Sequence, residues 1–154
     1  MAIAPTVSRL YAHGEIERLQ KILSKSVRKV MLFSLPMALI MVLAGKYVLI
    51  YVFGNEFALA RYALAVLSGA QLINACMGSV GLILNMTGNE KDTAIVLAST
   101  AGLNICLNAL LIPLYGILGA AIATAISIIL WNIILSYFIF KRTKLKSFFS
   151  LKQL

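Results

Sequence analysis

Four amides stand in two pairs inside otherwise apolar runs. Gln71 and Asn74 are three residues apart, and Asn104 and Asn108 are four apart. On a helix either spacing puts both side chains on one face. A carboxamide offers N–H donors and a carbonyl acceptor but carries no charge and shuttles no proton. Such pairs can do one of two things within a membrane. They can hydrogen-bond a neighbouring helix, or they can line a polar path for a hydrophilic headgroup, because an unpaired amide is costly against hydrocarbon. Asn85 and Asn132 are further amides with no partner on their own face.

The remaining reactive side chains are few. Lys46 is the one charge inside an apolar run. A lysine at the bilayer centre costs about 2.5–3.5 kcal/mol on insertion scales. Either its stem therefore snorkels outward, or the span ends at Gly45 and Tyr47–Phe53 lies on the outer surface. Cys76 and Cys106 fall within apolar stretches and read as small packing residues, not as a disulfide framework. His13 is the only histidine and sits in a polar segment. With no metal-ligand cluster, phosphate-binding glycine loop or nucleophile beside a base, the sequence predicts neither an enzyme nor a cofactor.

The elements that position these residues follow from composition. Hydrophobic residues make up 61% of the 154 residues and charged residues 12%, against about 45–50% and about 25% in soluble domains. A chain this short cannot bury so much apolar surface within itself, so lipid must be the solvent for most of it. A spanning helix needs about 20 apolar residues. Four stretches qualify, at about 30–53, 57–86, 93–114 and 117–140. They are separated by Gly54-Asn55, by Thr87–Asp92 and by the short Pro113–Gly116. The predicted fold is an all-α membrane protein with about four transmembrane helices, preceded by an amphipathic basic helix. The predicted parts are a cytoplasmic amphipathic segment over 1–29, a four-span domain over 30–140 and a basic cytoplasmic tail over 141–154.

That first helix is read from Ile16, Leu19, Ile22, Leu23, Val27 and Val30, which form one stripe, with Arg18, Lys21, Lys25 and Arg28 opposite. It either rests on anionic headgroups or continues the first span into the cytoplasm. The net charge of +9 could suggest nucleic acid. Because the basic residues flank apolar stretches, they point instead to a membrane surface. Four spans place the N-terminal segment, the 87–92 loop and the tail on one side. That side holds 12 Lys and Arg, whereas Lys46 and Arg61 are alone opposite. Both termini are therefore expected in the cytoplasm.

Other features bear on packing and motion. Gly119, Ala123 and Ser127 recur every four residues, a small-residue face that lets helices approach closely. Pro36 removes a backbone hydrogen bond from the first span and is expected to kink it. Gly69, Gly78 and Gly81 loosen the second.

Several phrases carry a family resemblance. They are Ala4-Pro5 with Ser8–Tyr11, Leu35-Pro36, Phe53-Gly54-Asn55-Glu56-Phe57, Gly69-Ala70-Gln71 with Asn74, Asn85–Lys91, and Ile112-Pro113-Leu114-Tyr115-Gly116 running on to Ala125. In order and spacing the chain resembles the C-terminal region of polysaccharide and O-antigen flippases of the multidrug/oligosaccharidyl-lipid/polysaccharide exporter superfamily. The resemblance implies transport of a polyprenyl-linked oligosaccharide, by alternating access, for lipopolysaccharide or other cell-surface polysaccharide synthesis. It implies a multi-pass protein of the bacterial inner membrane, with the lipid bilayer and a separate N-terminal lobe as partners and no nucleic acid. Gln71, Asn74, Asn104 and Asn108 would then face the substrate path. Two other readings stand beside it: part of a multidrug antiporter of the same superfamily, and a non-transporting membrane scaffold or remnant. A proton-coupled exporter needs a membrane-embedded carboxylate, and no span core has one; Glu56 lies at a span boundary.

Overall fold

A computed structural model describes residues 3–143, and every element in that range is helical. They are α1 (Ile3–Ala12), α2 (Ile16–Phe53), a 3-10 turn (Asn55–Ala60), α3 (Arg61–Met77), α4 (Val80–Met86), α5 (Glu90–Tyr115) and α6 (Ile117–Thr143). Four segments, with α3 and α4 counted together with the 3-10 turn, are long and apolar enough to cross a membrane. The chain is thus an all-α membrane protein with four spans, as the apolar runs predicted. Of the basic tail expected over 141–154, all beyond Thr143 lies outside the described residues.

The basic helix and the first span are one element. α2 has 38 residues, or about 57 Å at 1.5 Å per residue. This exceeds a hydrocarbon core of about 30 Å, so much of it must project. Leu19, Leu23 and Val27 of the predicted stripe are buried, and α1 and α4 lie against this end of the molecule. These three positions of the stripe are therefore covered by protein, whereas Val30 at its end is half exposed. Arg18, Lys21, Lys25, Arg28 and Lys29 are all exposed. Pro36 and Lys46 lie within the unbroken helix, which continues through Tyr47 to Phe53.

The second span is interrupted. Gly78 has φ +75°, a conformation open to glycine and strained for other residues. The chain leaves helix at Gly78-Ser79 before α4 begins. The turn between α5 and α6 is a single residue. Gly116, at φ +56°, donates its N–H to the Ile112 carbonyl at 2.8 Å and is the only residue between α5 and α6. Pro113 sits inside the last turn of α5, so the helix ends at the glycine, not at the proline.

The long helices pack in the order α2, α3, α6, α5, as a row. Short connections make successive spans antiparallel, so α3 and α6 run the same way. α6 occupies an inner position in the row and is the most buried span. A compact core lies at one end, where Val7 and Leu10 of α1 and Leu19 and Leu23 of α2 meet Val80, Ile83 and Leu84 of α4, with Val96, Leu135 and Ile139. At the same end, Arg142 on α6 donates to Asp92 on α5 at 3.1 Å. Elsewhere large apolar side chains such as Leu43, Leu59 and Ile105 point outward, an arrangement suited to lipid or to further protein.

Candidate functional site

The two amide pairs and Asn132 settle into two strings, both anchored on α6, whereas Asn85 is exposed and joins neither. On α3, Asn74 Nδ2 donates to Gln71 Oε1 at 3.2 Å. Asn132 of α6 then reaches across, its Nδ2 donating to Asn74 Oδ1 at 2.9 Å and to the Ile128 carbonyl at 2.8 Å. On α5, Asn108 Nδ2 donates to the carbonyl and to Oδ1 of Asn104, both at 2.9 Å. Asn104 Nδ2 donates to Ser127 Oγ of α6 at 3.1 Å, and that hydroxyl donates to the Ala123 carbonyl at 2.9 Å.

Each expected pair is therefore brought together, but the four amides do not converge. Residues 127 and 132 stand about 140° apart around a helix of 3.6 residues per turn. The Asn104/Asn108 pair joins the α5 side of α6, whereas Gln71/Asn74 joins the α3 side. Asn132, which has no partner on its own face, proves to be the residue that holds Asn74. It shares its helical phase with Ala121 and Ala125, which are also buried, and that phase was a signal available in the sequence. Asn132 is fully buried, and its Oδ1 has no hydrogen-bond partner among the described residues.

Gly119, Ala123 and Ser127 are all buried. Gly119 lies against the backbone of Leu111 and Ile112 in α5. Gly119 and Ser127 of this face thus meet α5.

Two cavities follow the α2–α3 seam. One of about 480 Å³ is lined by apolar residues of α2 and α3 together with Ser34, Ser68, Gln71 and Asn74. The other, about 350 Å³, lies at the α3–α4 break. Val30, Asn74 and Ala75 line both, so Asn74 stands at their junction. Cys76 Sγ donates to Met31 Sδ at 3.1 Å beside this seam, in keeping with a packing role. Cys106 is exposed on α5. Among the described residues no group of acidic, histidine or cysteine side chains could hold a metal.

The MatE family model matches residues 1–110. The chain belongs to the MatE family. It is 29% identical over 150 residues to the "Probable low-salt glycan biosynthesis flippase Agl15" of Haloferax volcanii, covering 97% of this chain and 30% of that protein. It is 34% identical over 134 residues to an uncharacterized membrane protein of Methanocaldococcus jannaschii, covering 82% of this chain and 25% of that protein. The chain thus spans less than a third of the length of either of these two relatives. No solved structure matches.

Proposed function

We propose that this chain is the C-terminal part of a flippase that moves a lipid-linked oligosaccharide across the cytoplasmic membrane for cell-surface glycan synthesis. The observation that carries the reading is its similarity, along 97% of its length, to a protein named as a glycan biosynthesis flippase. Ser34, Ser68, Gln71 and Asn74, the uncharged polar groups set among apolar residues along the α2–α3 seam, support it. Sugar hydroxyls need donors and acceptors along their route, and a passage built of neutral groups avoids the cost of bare charges in lipid. The protein acts as a transporter and not as an enzyme. In a bacterium the same reading places it in the inner membrane, with O-antigen as one substrate of this class.

Within that reading, Gln71 and Asn74 line the substrate path, whereas Asn104 and Asn108 bracket α5 to α6. Pro36, between the cavity-lining Ser34 and Met37 in sequence, is the kink point of α2 in this reading. The remaining lobe comes from a separate N-terminal region, because four spans supply only part of a two-lobed transporter. Complementation tests this in a strain lacking its own flippase. Surface glycan should return when the chain is expressed with a matching N-terminal region, and not with the chain alone. Asn74→Leu should abolish recovery at unchanged membrane levels, while Asn108→Leu should lower the amount of folded protein. Recovery by the chain alone, or by the pair carrying Asn74→Leu, would contradict the assignment.

Both termini lie on the cytoplasmic side in this proposal, from the 12-to-2 division of Lys and Arg. A cysteine placed at Ser150 should react with a membrane-impermeant maleimide only after the cells are opened. Labelling in intact cells would reverse the orientation.

A further inference from the structure

One face of α2 passes from one chemistry into another. At 3.6 residues per turn, Lys21, Lys25, Lys29, Leu32, Leu39 and Leu43 fall within an arc of about 80°. All six are exposed. The buried residues of this helix, Leu19, Leu23, Val27 and Gly45, lie on roughly the opposite side, toward the rest of the bundle. The lysine stretch therefore continues, past Val30, the face that the span turns outward.

The charge on this stretch is unopposed. Glu15 is held by Arg18 at 3.0 Å, and Asp92 by Arg142 at 3.1 Å. Among the described residues no carboxylate forms a salt bridge with Lys21, Lys25 or Lys29. Glu17 is the acid nearest in sequence, one turn before Lys21 and farthest from the apolar run. The heights match a membrane surface. Lys29 adjoins the apolar run that begins at Val30, with Lys25 about 6 Å and Lys21 about 12 Å farther out at 1.5 Å per residue. A headgroup layer is about 5–8 Å deep on each side of the hydrocarbon, so Lys29 and Lys25 fall within it. Their stems can lie along the apolar face while the ammonium groups stay among the headgroups.

This arrangement selects the partner. The helix cannot lie in the interface on its apolar stripe, because Leu19 and Leu23 of that stripe are packed on α1 and α4. A protein laid over the face would have to bury ammonium groups, at a cost repaid only by well-placed carboxylates. An acidic lipid meets both parts of the face at once. Its phosphate lies level with Lys25 and Lys29, and its chains run along Leu32, Leu39 and Leu43. We propose that the outward face of α2 binds anionic phospholipid of the leaflet nearest the N-terminus. Lys25 and Lys29 hold the headgroup, and Lys21 adds to the attracting field. The site is separate from the amide strings and does not depend on the flippase reading.

The test reads lipid at the face itself. Leu32→Trp puts an indole on the outward face, less than one turn from Lys29, and the unsubstituted chain supplies the Trp131 signal to subtract. The full chain would be reconstituted in phosphatidylcholine vesicles with rising fractions of dibrominated phosphatidylglycerol, or of dibrominated phosphatidylcholine. The bromines quench an indole that they touch. Phosphatidylglycerol should be preferred about fivefold or more, since each lysine near a charged surface contributes about 1 kcal/mol. Raising the salt concentration should weaken the preference. Lys25→Gln combined with Lys29→Gln should abolish it, and Lys91→Gln, which lies outside the face, should leave it unchanged. Equal quenching by the two brominated lipids, a preference that survives the double substitution, or one lost equally with Lys91→Gln would overturn the site. Displacement of phosphatidylglycerol by a few mole per cent of polyprenyl pyrophosphate would also overturn it, by giving the face to a carrier lipid. Loss of quenching by both brominated lipids when an N-terminal region is reconstituted with the chain would give the face to protein instead.

Discussion

Replacing Gly119 by leucine should disrupt the α5–α6 pair, although leucine is the more lipophilic residue. The Gly116 turn brings the two helices together within a few residues, and Gly119 then meets the α5 backbone. A Cβ there would overlap the Leu111 carbonyl and lie 3.0 Å from the Ile112 nitrogen. Backbone cannot swing aside as a side chain can, so the helices must separate. Overpacking a tight site costs about 1–3 kcal/mol and occasionally more, and here the larger value is expected. Ala123→Leu, at a fully buried position on the same face, should act in the same direction. Gly45→Ala is the control. Its added carbon would meet only the end of the Leu64 side chain, which can rotate away. Thermal unfolding in detergent should show a large loss for Gly119→Leu, a clear loss for Ala123→Leu and little change for Gly45→Ala. Unchanged melting in the two leucine variants would rule out this interface.

A comparable loss is expected from emptying the core at the α1 end. Leu84 and Leu135 are fully buried and join α1, α2, α4 and α6 in one cluster. Leucine-to-alanine changes at such positions cost about 2–5 kcal/mol, according to how far the site can collapse. Residues of α1, α2, α4 and α5 also pack into this cluster, which limits collapse. Leu135→Ala should therefore lower the unfolding temperature strongly, and Leu84→Ala should also expose α1 and α4 to protease. Leu43→Ala, at an outward-facing position on α2, should do neither. Equal melting for Leu135→Ala and Leu43→Ala would mean that this end carries no packed core.

The contrast between these sites shows which parts of the fold could be read from sequence. Spans were legible because twenty apolar residues have few alternatives to crossing a bilayer, and the Gly54 and Gly116 turns interrupt them plainly. The Gly119 face was legible because small residues at a spacing of four have a direct steric meaning. The order of helices in the row was not, since Leu32 on the outside and Leu135 on the inside are the same residue type. In lipid, hydropathy does not separate a buried face from an exposed one. The break at Gly78-Ser79 was hidden for a similar reason, as the residues on either side are equally apolar and Gly69 in the same span stays helical. The continuity of α2 was one of the two readings its stripe allowed; the packing of Leu19 and Leu23 against α1 and α4 is a tertiary contact absent from any local pattern. At the candidate site the amide pairs were legible as pairs. Their partners were not, because Asn132 and Ser127 lie far from them in sequence and declare themselves only when α6 is set between α3 and α5.

The central claim, that this chain belongs to a transporter of lipid-linked glycan, is tested most directly by translocation. The chain and its matching N-terminal region would be reconstituted together in proteoliposomes with a fluorescent polyprenyl-linked oligosaccharide in one leaflet. Lectin added outside, after defined intervals, would report the glycan that has crossed. Lectin-accessible glycan should accumulate with time for the pair, stay at the protein-free level for the chain alone, and fall to that level in the pair bearing Asn74→Leu. A pair that leaves the glycan in its original leaflet while exporting a lipophilic cationic drug from the same vesicles would contradict it.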